Sequence, residues 1–134
     1  MNLRYFEIAR FYVLMGIDLT CPKFKDIVYQ ITEASRHVAY DPPSKLLELV
    51  LEFGADVDWI DMKTCGTALT VACKSQNLAF VKLLVKYGAE IGVVDKQLKM
   101  PINYVMKQKT MAQKKIYRFL NRAGAKTSWK YDKQ

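Results

Sequence analysis

Two apolar helical stretches in this chain end in the same phrase, glycine-alanine-acid-aliphatic, and the two glycines stand 34 positions apart. The first copy is Gly54-Ala55-Asp56-Val57 after the apolar run 46–53; the second is Gly88-Ala89-Glu90-Ile91 after the run 81–87. A glycine directly after a helix is the usual left-handed C-terminal cap, because only glycine takes a positive φ without steric cost. Residues 8–19 align with 46–57 without a gap, Gly16 falling on Gly54 and Asp18 on Asp56, and the motif returns at Gly124-Ala125. The steps between the four glycines are 38, 34 and 36 residues. Recurrence at that interval predicts a stack of similar units, each burying its apolar face on the next, and excludes a fold built around one closed core.

Composition narrows what the stack is made for. At 134 residues the chain has room for one domain, and an apolar fraction of 51% beside 25% charged residues is that of a folded soluble protein. No apolar run approaches the ~18 residues of a membrane span, and the start lacks a signal-peptide pattern. Three cysteines, Cys21, Cys65 and Cys73, without a C-x-x-C pair, fit a reducing compartment, cytoplasm or nucleus, better than a disulfide framework. The net charge of +8 is uneven: residues 96–134 hold eleven Lys/Arg against Asp132 alone, whereas the rest of the chain is close to balanced. The basic excess is a patch of one end.

The segment Thr67-Ala68-Leu69-Thr70-Val71-Ala72-Cys73, then Leu78-Ala79-Phe80-Val81-Lys82-Leu83-Leu84 and Gly88-Ala89-Glu90, resembles the ankyrin repeat, with its T-P-L-H-x-A-A first helix and its second helix. Asp61 and Asp95, also 34 apart, match the aspartate of that family's finger, and Met100-Pro101-Ile102-Asn103-Tyr104-Val105 matches a further first helix. The pattern departs from the family at Ala68, Thr70 and Asn103, and the finger from Asp61 to Thr67 is one residue longer than that from Asp95 to Met100. The resemblance implies an all-α repeat, an ankyrin-like solenoid of antiparallel helix pairs with β-turn fingers. Its expected division is a single domain over 1–127 and a basic tail over 128–134. Within the domain, 1–20 is a half-repeat cap, 21–57 an irregular repeat, 58–91 the best repeat and 92–127 a C-terminal capping repeat. The irregular repeat places a first helix within 24–38, with Ile27, Val28, Ile31, Ala34 and Val38 at helical spacing. A half-repeat at the start is expected to make the unit a complete, capped one.

The resemblance further implies a non-enzymatic module that binds another protein through a concave groove lined by the fingers and first helices. Carried over position by position, the partner-binding residues are Trp59, Ile60, Met62, Lys63, Lys74 and Ser75, followed by Val94, Lys96, Gln97 and Lys99. Tryptophan and methionine are favoured at interface cores, and the lysines favour an acidic partner. Trp59 has a second reading, in which its ring folds back over a neighbouring repeat.

The basic end carries an alternative function, binding of nucleic acid or an anionic lipid surface through residues 107–133. Residues 111–122 read as an amphipathic helix, with Ile116, Phe119 and Leu120 inward and Lys114, Arg118 and Arg122 on the opposite stripe. Lys115, Lys126 and Lys130 complete that basic patch, interleaved with Trp129 and Tyr131. The competing reading is a polar outer face that keeps the end of the stack in solution.

Catalytic chemistry has little to work with. His37 is the one histidine, no P-loop or G-x-G-x-x-G is present, and only a grouping of Asp18, His37 and Asp41 offers acid-base residues. Scattered cysteines give no zinc-ligand spacing, so neither metal nor cofactor is expected. An intracellular adaptor, an inhibitor of an enzyme and an effector delivered into a host cell all share this pattern.

Overall fold

A computed structural model describes residues 15–16, 25–36 and 44–125. The half-repeat over 1–14, Asp18, Cys21, His37, Val38 and Asp41, and the tail with Lys126 and Lys130, lie outside the described residues. Among the described residues there are five α-helices: α1 (Ile27–Ser35), α2 (Ser44–Glu52), α3 (Ala68–Lys74), α4 (Leu78–Lys86) and α5 (Met111–Arg122). A 3-10 turn, Pro101–Tyr104, lies between α4 and α5, and no strand forms among the described residues.

The helices form two layers. α1, α3 and the 3-10 turn follow one another in the first; α2, α4 and α5 follow one another in the second. Across the layers, α1 pairs with α2, α3 with α4, and the 3-10 turn with α5. Between the layers runs one continuous core that includes Leu47, Leu69, Phe80, Leu84, Ile102 and Leu120, all fully buried. Burying each side chain of that size is worth roughly 1.5–3 kcal/mol against leaving it in water. A stack this short depends on that shared core, since no helix pair has enough apolar surface to hold alone.

Each second-layer helix ends in the same way. Gly54, Gly88 and Gly124 have φ of 90°, 89° and 98°. Their N–H groups donate to Leu51, Val85 and Asn121, and the following Ala55, Ala89 and Ala125 donate to Val50, Leu84 and Leu120. That pair of bonds is a Schellman cap, which satisfies carbonyls that the helix would otherwise leave open. Gly16, at φ 90°, is the fourth of the series. The recurring glycine is thus a backbone requirement, repeated because the same helix end is repeated.

The helix starts differ in detail. The Asn77 carboxamide oxygen accepts the Phe80 N–H at 3.2 Å, opening α4. At α5, Thr110 Oγ1 accepts from Gln113 N at 3.1 Å while Lys109 N–H donates to Gln113 Oε1 at 2.8 Å. These reciprocal bonds satisfy amides at the helix start. The Thr110 hydroxyl also donates to Gln76 Oε1 at 2.7 Å, tying the loop before α5 to the one before α4.

Two expectations need correction. The Met100–Val105 match is not an α-helix: it stops after one 3-10 turn at Tyr104. Ile102, Asn103, Tyr104 and Val105 all come from the weaker helix formers, whereas α3 opens on Ala68 and Leu69 and contains Ala72. In α1 the buried face is Val28, Ile31, Thr32 and Ser35 with Tyr29, and Ile27 and Ala34 sit only half-buried. Two hydroxyl residues enter the core because each bonds back to its own helix, Thr32 to Val28 O at 2.8 Å and Ser35 to Thr32 O at 2.7 Å.

Candidate functional site

The candidate site lies on the turns between helix pairs and on the ends of the first layer. Each turn is organised by an aspartate. Asp61 N–H donates to Gly66 O at 3.0 Å, and Cys65 N–H returns to Asp61 O at 2.7 Å. The Asp61 carboxylate accepts both the Thr64 N–H and its hydroxyl, at 3.3 and 3.1 Å. In the second turn Asp95 N–H donates to Lys99 O and Leu98 N–H to Asp95 O, both at 3.0 Å. Asp95 Oδ1 accepts from Gln97 N at 2.9 Å and Lys99 N at 3.1 Å, and its Oδ2 accepts from the Tyr104 hydroxyl. A short carboxylate that captures backbone N–H groups two to four residues on is what makes aspartate a turn residue.

Neighbouring turns are joined. Lys96 N–H donates to Thr64 O at 2.9 Å, and Glu90 N–H donates to Asp58 Oδ1 at 2.8 Å. The first bond sets the two turns side by side, so residues at their tips share one edge of the stack. Both tips hold a left-handed residue that is not glycine, Cys65 at φ 58° and Leu98 at φ 62°. The additional residue of the first turn lies before Cys65, which donates to the aspartate four positions back, where Leu98 donates to the one three back.

Of the residues expected to grip a partner, Ile60 and Met62 are 48% and 86% exposed. Lys63, Lys74, Lys96, Gln97 and Lys99 are exposed as well. Trp59 is half-buried, its ring centroid 5.3 Å from that of Tyr29 in α1 and tilted by 58°. A tilted aromatic pair at that distance is worth about 0.5–1.5 kcal/mol beyond its area, so the ring braces the turn against the preceding helix pair. Val94 is half-buried against the core, and the Ser75 hydroxyl donates to Val71 O at 2.9 Å. Lys114, Lys115, Arg118 and Arg122 are exposed along α5, whose buried side chains are Ile116 and Leu120.

Sequence reasoning missed Leu98 and Tyr104. Leu98 is 57% exposed at the tip of the second turn, held in a conformation that costs a residue with a Cβ about 1–2 kcal/mol. An apolar residue between Gln97 and Lys99, inside a turn set by Asp95, was the signal available. Tyr104 receives two cations: Lys74 Nζ lies 5.0 Å and Lys99 Nζ 5.2 Å from its ring centroid. Each exposed cation–π contact is worth about 0.5–1 kcal/mol. Burial pushes the Tyr104 hydroxyl well above its ordinary pKa, with its bond to Asp95 and the charge of that carboxylate adding to the rise. Among the described residues the one ion pair is Arg36 with Glu33, at 2.8 Å, so none of the four lysines expected here is paired with a carboxylate.

Comparison with known proteins places these elements. The family model described as "Ankyrin repeat" matches residues 66–96, which run from the end of the first turn through α3 and α4 into the second turn. A putative ankyrin repeat protein, FPV222, of fowlpox virus (strain NVSL) is 30% identical over 81 residues. That match covers 60% of this chain, which spans 11% of the length of the viral protein.

Proposed function

The chain belongs to the ankyrin-repeat family, and on that premise we propose that it is a non-enzymatic module that grips a partner protein with its turn tips and the adjoining first-layer groove. Ankyrin repeats are in general protein–protein interaction modules, and this chain is an all-α example. The observation that carries the finer reading is the set of apolar side chains at the tips. Ile60, Met62 and Leu98 are about half or more exposed, make no part of the buried core, and in the case of Leu98 sit in a strained backbone conformation. Nothing in the packing requires them, and backbone strain concentrates where function keeps it. Lysines 63, 74, 96 and 99 around them favour a partner with acidic groups, whose charge would also steer the encounter.

The domain reading over 1–127 and a place in the cytoplasm or nucleus, of the producing cell or of a host, go with this proposal. The cysteines suit a reducing compartment, and no helix among the described residues is long and apolar enough to cross a membrane.

The test replaces Ile60 and Met62 with serine and Lys96 with glutamate. Circular dichroism and thermal melting should be unchanged, because all three side chains are exposed. Partner recovery in pull-downs should fall sharply. Unchanged recovery from a folded triple variant removes the turn tips as the binding face.

A further inference from the structure

We propose that Lys74, Lys99 and the Tyr104 ring that both approach form an anion seat that takes the carboxylates of an acidic, extended segment of the partner protein. The proposal rests on the groove reading above and adds a chemical class of ligand to one part of it.

Three elements build the seat. Lys74 ends α3, Lys99 ends the second turn, and Tyr104 closes the 3-10 turn. Both ammonium groups lie over one ring, so their nitrogens are at most about 10 Å apart. Two cations drawn to the same ring repel one another, and no described carboxylate pairs with either. The Asp95 carboxylate accepts from Gln97 N, Lys99 N and the Tyr104 hydroxyl and makes no ion pair with either lysine. That arrangement fixes the ring and leaves the ammonium charge unspent. An entering carboxylate turns the repulsion into attraction to both lysines. An apolar residue beside that carboxylate reaches Leu98, which directly precedes Lys99.

A single phosphate dianion shares this chemistry, but the charge pattern favours carboxylates. Lysines act as separate point charges, while bidentate capture of phosphate is the strength of arginine, and no arginine stands between residues 37 and 117.

The experiment uses the full chain and fluorescein-labelled peptides followed by anisotropy. One peptide combines glutamate and serine with two leucines; the second has glutamine for every glutamate; the third has one phosphoserine in the glutamine peptide. The glutamate peptide should bind at low salt and weaken as salt rises, and the glutamine peptide should bind at least tenfold more weakly. The double variant Lys74→Gln, Lys99→Gln should lose about tenfold for the glutamate peptide, and a control, Lys82→Gln with Lys86→Gln on α4, less than twofold. Equal binding of the first two peptides, equal loss in the two double variants, no binding to the unaltered protein, or preference for the phosphoserine peptide each overturns the proposal. If Leu98→Ser weakens the glutamate and glutamine peptides alike while the lysine variants do nothing, the seat fails and the groove reading stands. If neither weakens binding, both fail.

Discussion

Replacing Gly88 with alanine isolates the backbone cost of the repeating helix end. A Cβ added at Gly88 has nothing within 4 Å, so no clash contributes, and the whole effect comes from φ of +89°. Holding a residue with a Cβ there costs about 1–2 kcal/mol. Alanine also restricts the unfolded chain more than glycine does, which returns about 0.4–1 kcal/mol. The net expectation for Gly88→Ala is destabilisation by about 1 kcal/mol, or roughly 4 °C in melting temperature for a domain of this size. Gly92 provides the control. It is equally open and lies outside the left-handed region, so only the unfolded-state effect applies and Gly92→Ala should stabilise by up to about 1 kcal/mol. The two variants should therefore move in opposite directions in urea titrations followed at 222 nm, with unchanged m-values. Gly88→Asn should cost less than Gly88→Ala, because asparagine tolerates the left-handed region. A neutral or stabilising Gly88→Ala, matching Gly92→Ala, would refute the claim that the four glycines recur because φ demands them.

Leu98→Gly should raise stability by about 0.5–1 kcal/mol in the same titration, since relief of the left-handed strain outweighs the added freedom of the unfolded chain; a destabilised variant would mean that the leucine side chain packs. Burial pushes the Cys73 thiol up to about 12, and the side chain is fully buried. At pH 8 iodoacetamide should label it only as fast as the protein unfolds, while the partly exposed Cys65 reacts directly, as read by peptide mass mapping. Tyr104→Phe should cost about 1–3 kcal/mol near neutral pH, because it removes a donor from the buried Asp95 carboxylate. The pH dependence has a definite sign: the folded-state pKa of Tyr104 is raised, so its contribution is complete below the ordinary value near 10 and is lost as pH climbs toward the raised one. Melting curves of the parent should thus converge on those of Tyr104→Phe in strong alkali.

The repeat was legible wherever a residue type is forced by backbone geometry. Gly54, Gly88 and Gly124 could be read as helix ends because no other residue sits easily at φ near +90°; Asp61 and Asp95 were placed by the ankyrin resemblance, and the structure shows each carboxylate closing its turn. The inward stripe of α5 was legible from its period, Ile116 and Leu120 being buried and Lys114, Arg118 and Arg122 exposed. What stayed hidden was decided by tertiary partners. Thr32 and Ser35 stand outside the apolar spacing of α1, and their burial rests on bonds to helix carbonyls. The third first-layer helix shrank to one turn although its motif matched, because a motif records positions and not the propensity of Asn103 and Val105 between them. Within the candidate site, the exposure of Ile60, Met62, Lys74 and Lys99 was readable from their place in the repeat. The two lysines over Tyr104 were not, since Lys74 lies 30 residues from that ring and meets it only when the repeats stack.

The most direct measurement is site-specific photo-crosslinking in cells that produce the protein, with a benzophenone side chain placed singly at Met62, Leu98, Phe53 or Lys82. All four positions are exposed; the first two lie on the turn tips, Phe53 directly follows the second-layer helix α2, and Lys82 lies on the second-layer helix α4. If the turn tips grip the partner, Met62 and Leu98 give a discrete adduct with the same protein, lost when Ile60 is changed to serine, and Phe53 and Lys82 give none. An adduct formed from Phe53 or Lys82, with Met62 and Leu98 silent, would contradict it.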